Sequence, residues 1–256
     1  VTCALCHGMV PPVYTAANSP TNDRGVLAAL SFPGTNYGNG MFVVDPTGLR
    51  RGPYTNAVLG HESLGSPFHR SAAFCGTCHD VSNPAFAKDG EGVYQPNAFD
   101  AEAGNYSPHF MAPVERTYSE WLHSDYAATN GVYAPQFAGN RPGGRVSTCQ
   151  HCHMRYASGH IASTNLNPGI PLRTDLAVHD LTGGSTWMAS MLTNLFPGDV
   201  SQPAITSAVA RSVQLLANAA TLGVSDAPGQ LKVTVTNECG HKLPTGYPEG
   251  RRIWVN

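Results

Sequence analysis

Cys75-Gly76-Thr77-Cys78-His79 sets two thiols three positions apart with an imidazole directly after the second. The same order stands at Cys3-Ala4-Leu5-Cys6-His7 and at Cys149-Gln150-His151-Cys152-His153. The chain carries 7 Cys and 11 His in 256 residues, a supply from which random placement yields about 0.008 copies of C-x-x-C-H. Three copies therefore mark a shared chemistry. Two thiols at this spacing add across the two vinyl groups of haem, and the adjacent histidine lies against the iron as proximal ligand. The spacing predicts three covalent c-type haems, attached through Cys3, Cys6, Cys75, Cys78, Cys149 and Cys152 and ligated by His7, His79 and His153.

Other uses of paired thiols fit less well. Structural zinc takes four ligands per site, and six thiols in three separate pairs do not divide into four-thiolate sites. A thioredoxin-like pair expects one motif within a βαβ pattern. Disulfide stapling leaves the repeated histidine unexplained. Cys239, in Asn237-Glu238-Cys239-Gly240-His241, has the wrong spacing for attachment and reads as a buried free thiol, with an intermolecular bond as the alternative.

Eight histidines remain for three distal positions: His61, His69, His109, His123, His151, His160, His179 and His241. That surplus predicts bis-histidine ligation. Met9, Met111 and Met154 are near enough to substitute, with a higher potential as the consequence. His61 and His69 stand eight apart ahead of the second motif. His179 precedes a Gly183-Gly184 turn, where backbone can come close to a flat cofactor. The distal expectation falls on His61, His69 and His179. His151, between the thiols of its own motif, reads as pointing away toward solvent or a propionate. His109, His123 and His160 read equally as surface or hydrogen-bonded side chains.

Composition bounds the rest. Net charge is −2 and charged residues make up 12%, so no general basic surface for nucleic acid is implied. No apolar run approaches the roughly 20 residues of a membrane span. The 27 Gly and 20 Pro interrupt any periodicity between the motifs. The expected fold class is mostly irregular loops with a few α-helices wrapped around covalent haems, plus a small C-terminal β element that starts a β domain. Residues 1–200 read as the triheme core, 201–223 as a helix packing on it, and 224–256 as a β-hairpin that docks or is truncated. Helices are expected at 113–129, with Pro113 in the first turn, at 186–195 behind Ser185, and at 203–222 before Gly223. Alternation over Leu231, Val233 and Val235 predicts a strand, and a second starts near Arg252-Ile253-Trp254-Val255. No leader pattern precedes Cys3. Covalent haem attachment outside the cytoplasm of prokaryotes then implies a removed export signal and a periplasmic or extracellular location.

Several stretches together resemble the multihaem c-type cytochromes of metal-respiring and other anaerobic bacteria and archaea, some of which form extracellular filaments. They are SPFHRSAAFCGTCHDVSNP (66–84), RTYSEWLHSDYA (116–127), STCQHCHM (147–154), HDLTGGSTWM (179–188) and GHKLPTGYPEGRRIW (240–254). The resemblance implies distal ligand roles for His69 and His179, and for His61 by extension. It also implies that the turn from Gly240 to Gly246 enters a β domain, with His241 capping a haem or bracing the turn. Many relatives carry four, eight or more haems against three here.

The resulting functional expectation is electron transfer through three six-coordinate haems to redox partner proteins or extracellular acceptors, without enzymatic turnover. A reductase for nitrite, hydroxylamine or a sulfur oxyanion is the alternative. It needs an open iron position with acid and base neighbours, for which only Arg70, Tyr118 and His123 offer hints. A filament of identical subunits is the third reading. Intact-protein mass after acid and acetone extraction is expected to retain three haem additions, and two or four would overturn the count.

Overall fold

The computed structural model describes residues 2–57, 61–101 and 103–247. Its contacts divide the chain into two compact units. The first comprises residues 1–124, 160–172 and 244–256, the second 125–159 and 173–243.

In the first unit, α1 (Cys3–Gly8) starts at Thr2, whose hydroxyl accepts the Leu5 N–H as an N-cap should. Then follow β1 (Met9–Val10), α2 (Asp23–Ala28), β2 (Val43–Val44), β3 (Arg50–Gly52) and β4 (Ser63–Gly65). β1 pairs with β2 antiparallel, and β3 pairs with β4 in parallel. A 3-10 turn over Pro67–Arg70 leads into α3 (Ala72–Gly76). The largest sheet comes next, with strand order β6-β5-β7 for β5 (Val81–Lys88), β6 (Tyr94–Pro96) and β7 (Met111–Glu115). α4 (Thr117–Leu122) closes this part of the unit. Gly76 is required by packing, because a Cβ there would lie 2.4 Å from the Tyr118 ring.

The core of this unit joins Val10, Phe68 and Met111 to a buried ion cluster. Arg51 Nη2 lies 2.8 Å from Asp23 Oδ1 and 2.7 Å from Asp45 Oδ2, with the Arg51 and Asp23 side chains fully enclosed. Burial raises the Asp23 carboxyl against the opposing pull of Arg51. Burial acts on Asp45 too, but hydrogen bonds from Thr47 and Arg51 bring it below its ordinary value.

The second unit contains β8 (Val132–Tyr133), α5 (Pro135–Ala138), β9 (Arg145–Val146), α6 (Cys149–His153), β10 (Tyr156–Gly159) and β11 (Arg173–Ala177). Its remaining elements are α7 (Thr186–Leu195), α8 (Gln202–Ala217), β12 (Ala220–Ala227) and β13 (Gln230–Asn237). β8 pairs with β9, β10 with β11 and β12 with β13, all antiparallel. Its buried residues include Ala134, Phe137, Ala138 and Val146.

The expectation of mostly irregular loops is overturned. The chain is mixed α/β, 28% helix and 23% strand in many small sheets. Strands of two or three residues are too short to show an alternating pattern. The longer β5 hides its pattern behind Pro84 and a register shift between Asn83 and Ala87, a bulge of the kind that admits proline. Pro113 belongs to the edge strand β7 and not to a helix, so only Thr117–Leu122 of the expected 113–129 helix forms as α-helix.

Helix 186–195 lies where expected, although Ser185 makes no side-chain cap bond. α8 ends at Ala217, and Ala220 and Gly223, expected at its end, instead stand in β12. The partner of the expected strand is therefore β12, joined through Pro228-Gly229 with Gly229 at φ 75°, the proline-glycine combination of a type II turn. The strand expected at 252–255 lies outside the described residues. No described helix is long and apolar enough to cross a membrane.

Removing the cation from the buried cluster leaves two carboxylates unpaired, a loss of roughly 3–5 kcal/mol. Arg51→Met is expected to lower the thermal midpoint clearly, and Asp23→Asn with Asp45→Asn in the same chain to recover most of it. An unchanged midpoint in the single variant would show that the cluster does not support the fold.

Candidate haem-binding sites

On a helix, positions i, i+3 and i+4 share a face, so C-x-x-C-H carries both thiols and the imidazole to one side. α1 and α6 hold complete motifs. In the second motif α3 ends at Gly76, yet the Thr77 N–H still reaches the Ala73 carbonyl and the His79 N–H the Cys75 carbonyl, at 3.0 and 2.8 Å, prolonging the turn through His79. No disulfide joins any of the seven cysteines.

Each motif histidine turns its Nδ1 toward an oxygen. His7 Nδ1 lies 2.7 Å from the Arg51 carbonyl, and His153 Nδ1 lies 2.5 Å from the Thr182 carbonyl. His79 Nδ1 lies 3.8 Å from Glu115 Oε2. The two carbonyls are within hydrogen-bond distance and would fix the tautomer and ring orientation of a histidine that ligates through Nε2, whereas the Glu115 carboxylate is beyond it and faces an exposed ring. Each oxygen belongs to a residue in or near an ion pair in sequence: Arg51 pairs with Asp23 and Asp45, Glu115 precedes Arg116 of the Arg116–Asp80 pair, and Thr182 follows Asp180, which binds Arg155 and Arg211.

Two of these imidazoles face a second one. His69 lies parallel to His7, with ring centres 5.9 Å apart and planes at 14°. In the second unit His241 lies parallel to His153, at 6.4 Å and 19°. Metal–nitrogen bonds of about 2 Å on opposite sides of one iron separate trans imidazole centres by roughly 6 Å, so both pairs fit a bis-histidine haem. His241 Nδ1 contacts the Lys242 carbonyl at 3.1 Å, the orientation an Nε2 ligand requires.

The His69 ring packs against Phe68 and Phe74. Burial holds its pKa down to about 4, with the Cys6 carbonyl opposing and His7 and Arg51 adding, so it stays in the neutral form that binds metal. Its Nε2 lies 2.9 Å from the Cys6 carbonyl, a contact that ligation would exchange for the metal bond. His69 thus sits just ahead of the second motif in sequence but touches the first in space. The Cys78 thiol is pushed up by burial and then by the charge of Cys6.

The other expected residues lie elsewhere. His61 is exposed, with Nδ1 on the Glu62 carbonyl at 3.0 Å, at an open cleft of about 600 Å³ that Arg50 and Glu62 also line. His179 is exposed, on the loop whose Thr182 donates its N–H to the His153 carbonyl and presents its own carbonyl to His153 Nδ1. His151, expected to point outward, instead caps its own helix, accepting at Nδ1 from the Ser147 and Thr148 N–H groups at 3.1 and 3.3 Å. His160 directs Nδ1 to the Ile170 carbonyl. Cys152 is pushed up to about 12 by burial, with Cys149 and Cys239 adding. Cys239 is half-buried, and its thiol donates to the Ala219 carbonyl at 3.4 Å.

No group of three or more His, Cys, Asp or Glu able to hold a bare metal ion occurs among the described residues. No protein family, no curated protein and no solved structure matches the chain.

His241→Ala and His69→Ala are each expected to open one iron of the loaded protein and create a carbon monoxide binding site on reduction. A His241→Ala protein that binds no more carbon monoxide than the parent would reject the His153–His241 pairing.

Proposed function

We propose that the chain is an extracytoplasmic electron carrier with three covalent c-type haems, passing electrons between redox partner proteins or extracellular acceptors. The observation that carries this reading is the pair of parallel imidazoles at His7–His69 and His153–His241, because an iron closed on both faces exchanges electrons without admitting a substrate. Haem so held supplies reversible one-electron chemistry at a potential set by its surroundings.

The chain's own groups do the rest. The thiols of Cys3 and Cys6, Cys75 and Cys78, and Cys149 and Cys152 anchor the groups covalently. His7, His79 and His153 supply one imidazole each, and the Arg51 and Thr182 carbonyls orient His7 and His153 through Nδ1. His69 and His241 close the opposite faces of the first and third centres. Attachment of this kind places the protein in the periplasm or outside the cell.

Reduced protein mixed with a soluble ferric chelate is expected to reoxidise fully. With nitrite, hydroxylamine or tetrathionate it is expected to show no sustained turnover. Repeated cycles with any of those three at about 1 to 1,000 per second would replace the carrier reading with a reductase.

A further inference from the structure

The three motif histidines differ in what faces Nδ1. At His7 and His153 the partner is a neutral backbone carbonyl, whereas at His79 it is the carboxylate of Glu115. Resting on the haem reading above, we propose that Glu115 is a positioning residue that selectively lowers the reduction potential of the haem held by His79.

The local structure aims the carboxylate. Glu115 ends β7, and its Oε1 accepts the Thr117 N–H at 2.8 Å where α4 begins. That contact leaves Oε2 facing His79, buried and without a hydrogen bond of its own. Behind the side chain stands Gly246 at φ 88°, whose carbonyl takes the Arg116 N–H at 2.8 Å. A Cβ at Gly246 would sit 3.3 Å from Glu115 Oε1, so the Pro244-Thr245-Gly246 turn confines the carboxylate. Thr245 fastens the turn by bonding Thr117 and Glu120. On the other side of His79, Tyr118 N–H holds its carbonyl at 2.9 Å.

The chemistry follows from the charge. At 3.8 Å the Glu115 carboxylate lies beyond hydrogen-bond distance of Nδ1, so it acts through its charge, which favours the oxidised, more positive metal as a neutral carbonyl does not. The neighbouring Asp80 does not duplicate the effect, because its two oxygens are engaged by Arg116 and Ser119.

Glu115→Gln keeps the Oε1 acceptor for Thr117 and removes the charge. In a spectroscopic redox titration of the loaded protein, one of three components is expected to become about tenfold easier to reduce, ~59 mV for one electron. Glu115→Asp, which retracts the charge, is expected to move the same component less. Glu120→Gln, which removes the charge of the carboxylate that accepts from Thr245, is expected to move it little.

No displaced component, three components moving together, or an equal shift in Glu120→Gln would each overturn the proposal. The haem count separates the two levels of inference. A parent protein without three haems overturns the electron-carrier reading itself, whereas three haems and no selective shift overturn only the role of Glu115.

Discussion

Each motif imidazole turns its Nδ1 toward an oxygen that the motif itself does not supply, and that constraint organises the described residues. C-x-x-C-H supplies the thiols and the ring on one helical face but supplies nothing to fix the ring's rotation. The facing oxygens come from far along the sequence, at Arg51, Glu115 and Thr182. Each belongs to a residue in or near, in sequence, an arginine–aspartate pair whose partners come from yet other segments. The small sheets matter for the same reason: β3 carries the Arg51 carbonyl, β7 delivers Glu115, and β10 with β11 borders the segment that reaches Thr182.

The buried cluster around Arg51 shows the cost of such positioning. Two carboxylates share one guanidinium with almost no solvent, an arrangement that hydrophobic side chains of similar volume would commonly match or exceed in stability. What hydrophobic packing would not provide is direction. The guanidinium makes bonds at 2.7–3.0 Å to Asp45 Oδ2, Asp23 Oδ1 and the Leu49 carbonyl, so the Arg51 backbone is fixed in orientation as well as place.

The geometry of the motifs was legible because it is local: thiol and imidazole spacing follows directly from chain order, and α1 and α6 each hold a whole motif. Helix 186–195 was placed by Ser185 as a candidate cap, and it forms there although Ser185 makes no side-chain cap bond. The sheets were not, since pairs such as Met9–Val10 with Val43–Val44 depend on backbone bonding across long separations. Pro113 misled for a definite reason, as proline suits a helix first turn and a sheet edge equally well. The Pro228-Gly229 pair did signal a turn, but the stripe that ran on to Ala220 concealed the strand before it. Among distal candidates, His69 was marked by its place ahead of the second motif. His241 was left open, since only the folded backbone brings it opposite His153, 88 residues earlier in the chain.

The interleaving of the two units bears on how such a chain matures. The path leaves the first unit after Ser124, returns at His160, leaves again after Leu172 and returns at Pro244. The unit containing the two earliest motifs is therefore finished by residues near the far end of the described chain, and neither unit corresponds to a contiguous fragment. Contacts that span so much sequence form slowly, because the loop entropy is lost before the contacts reward it. Cys3, Cys6, Cys75 and Cys78 all precede Thr245 in the chain, so the turn that bonds Thr117 and Glu120 can close only once every thiol of this unit is already present.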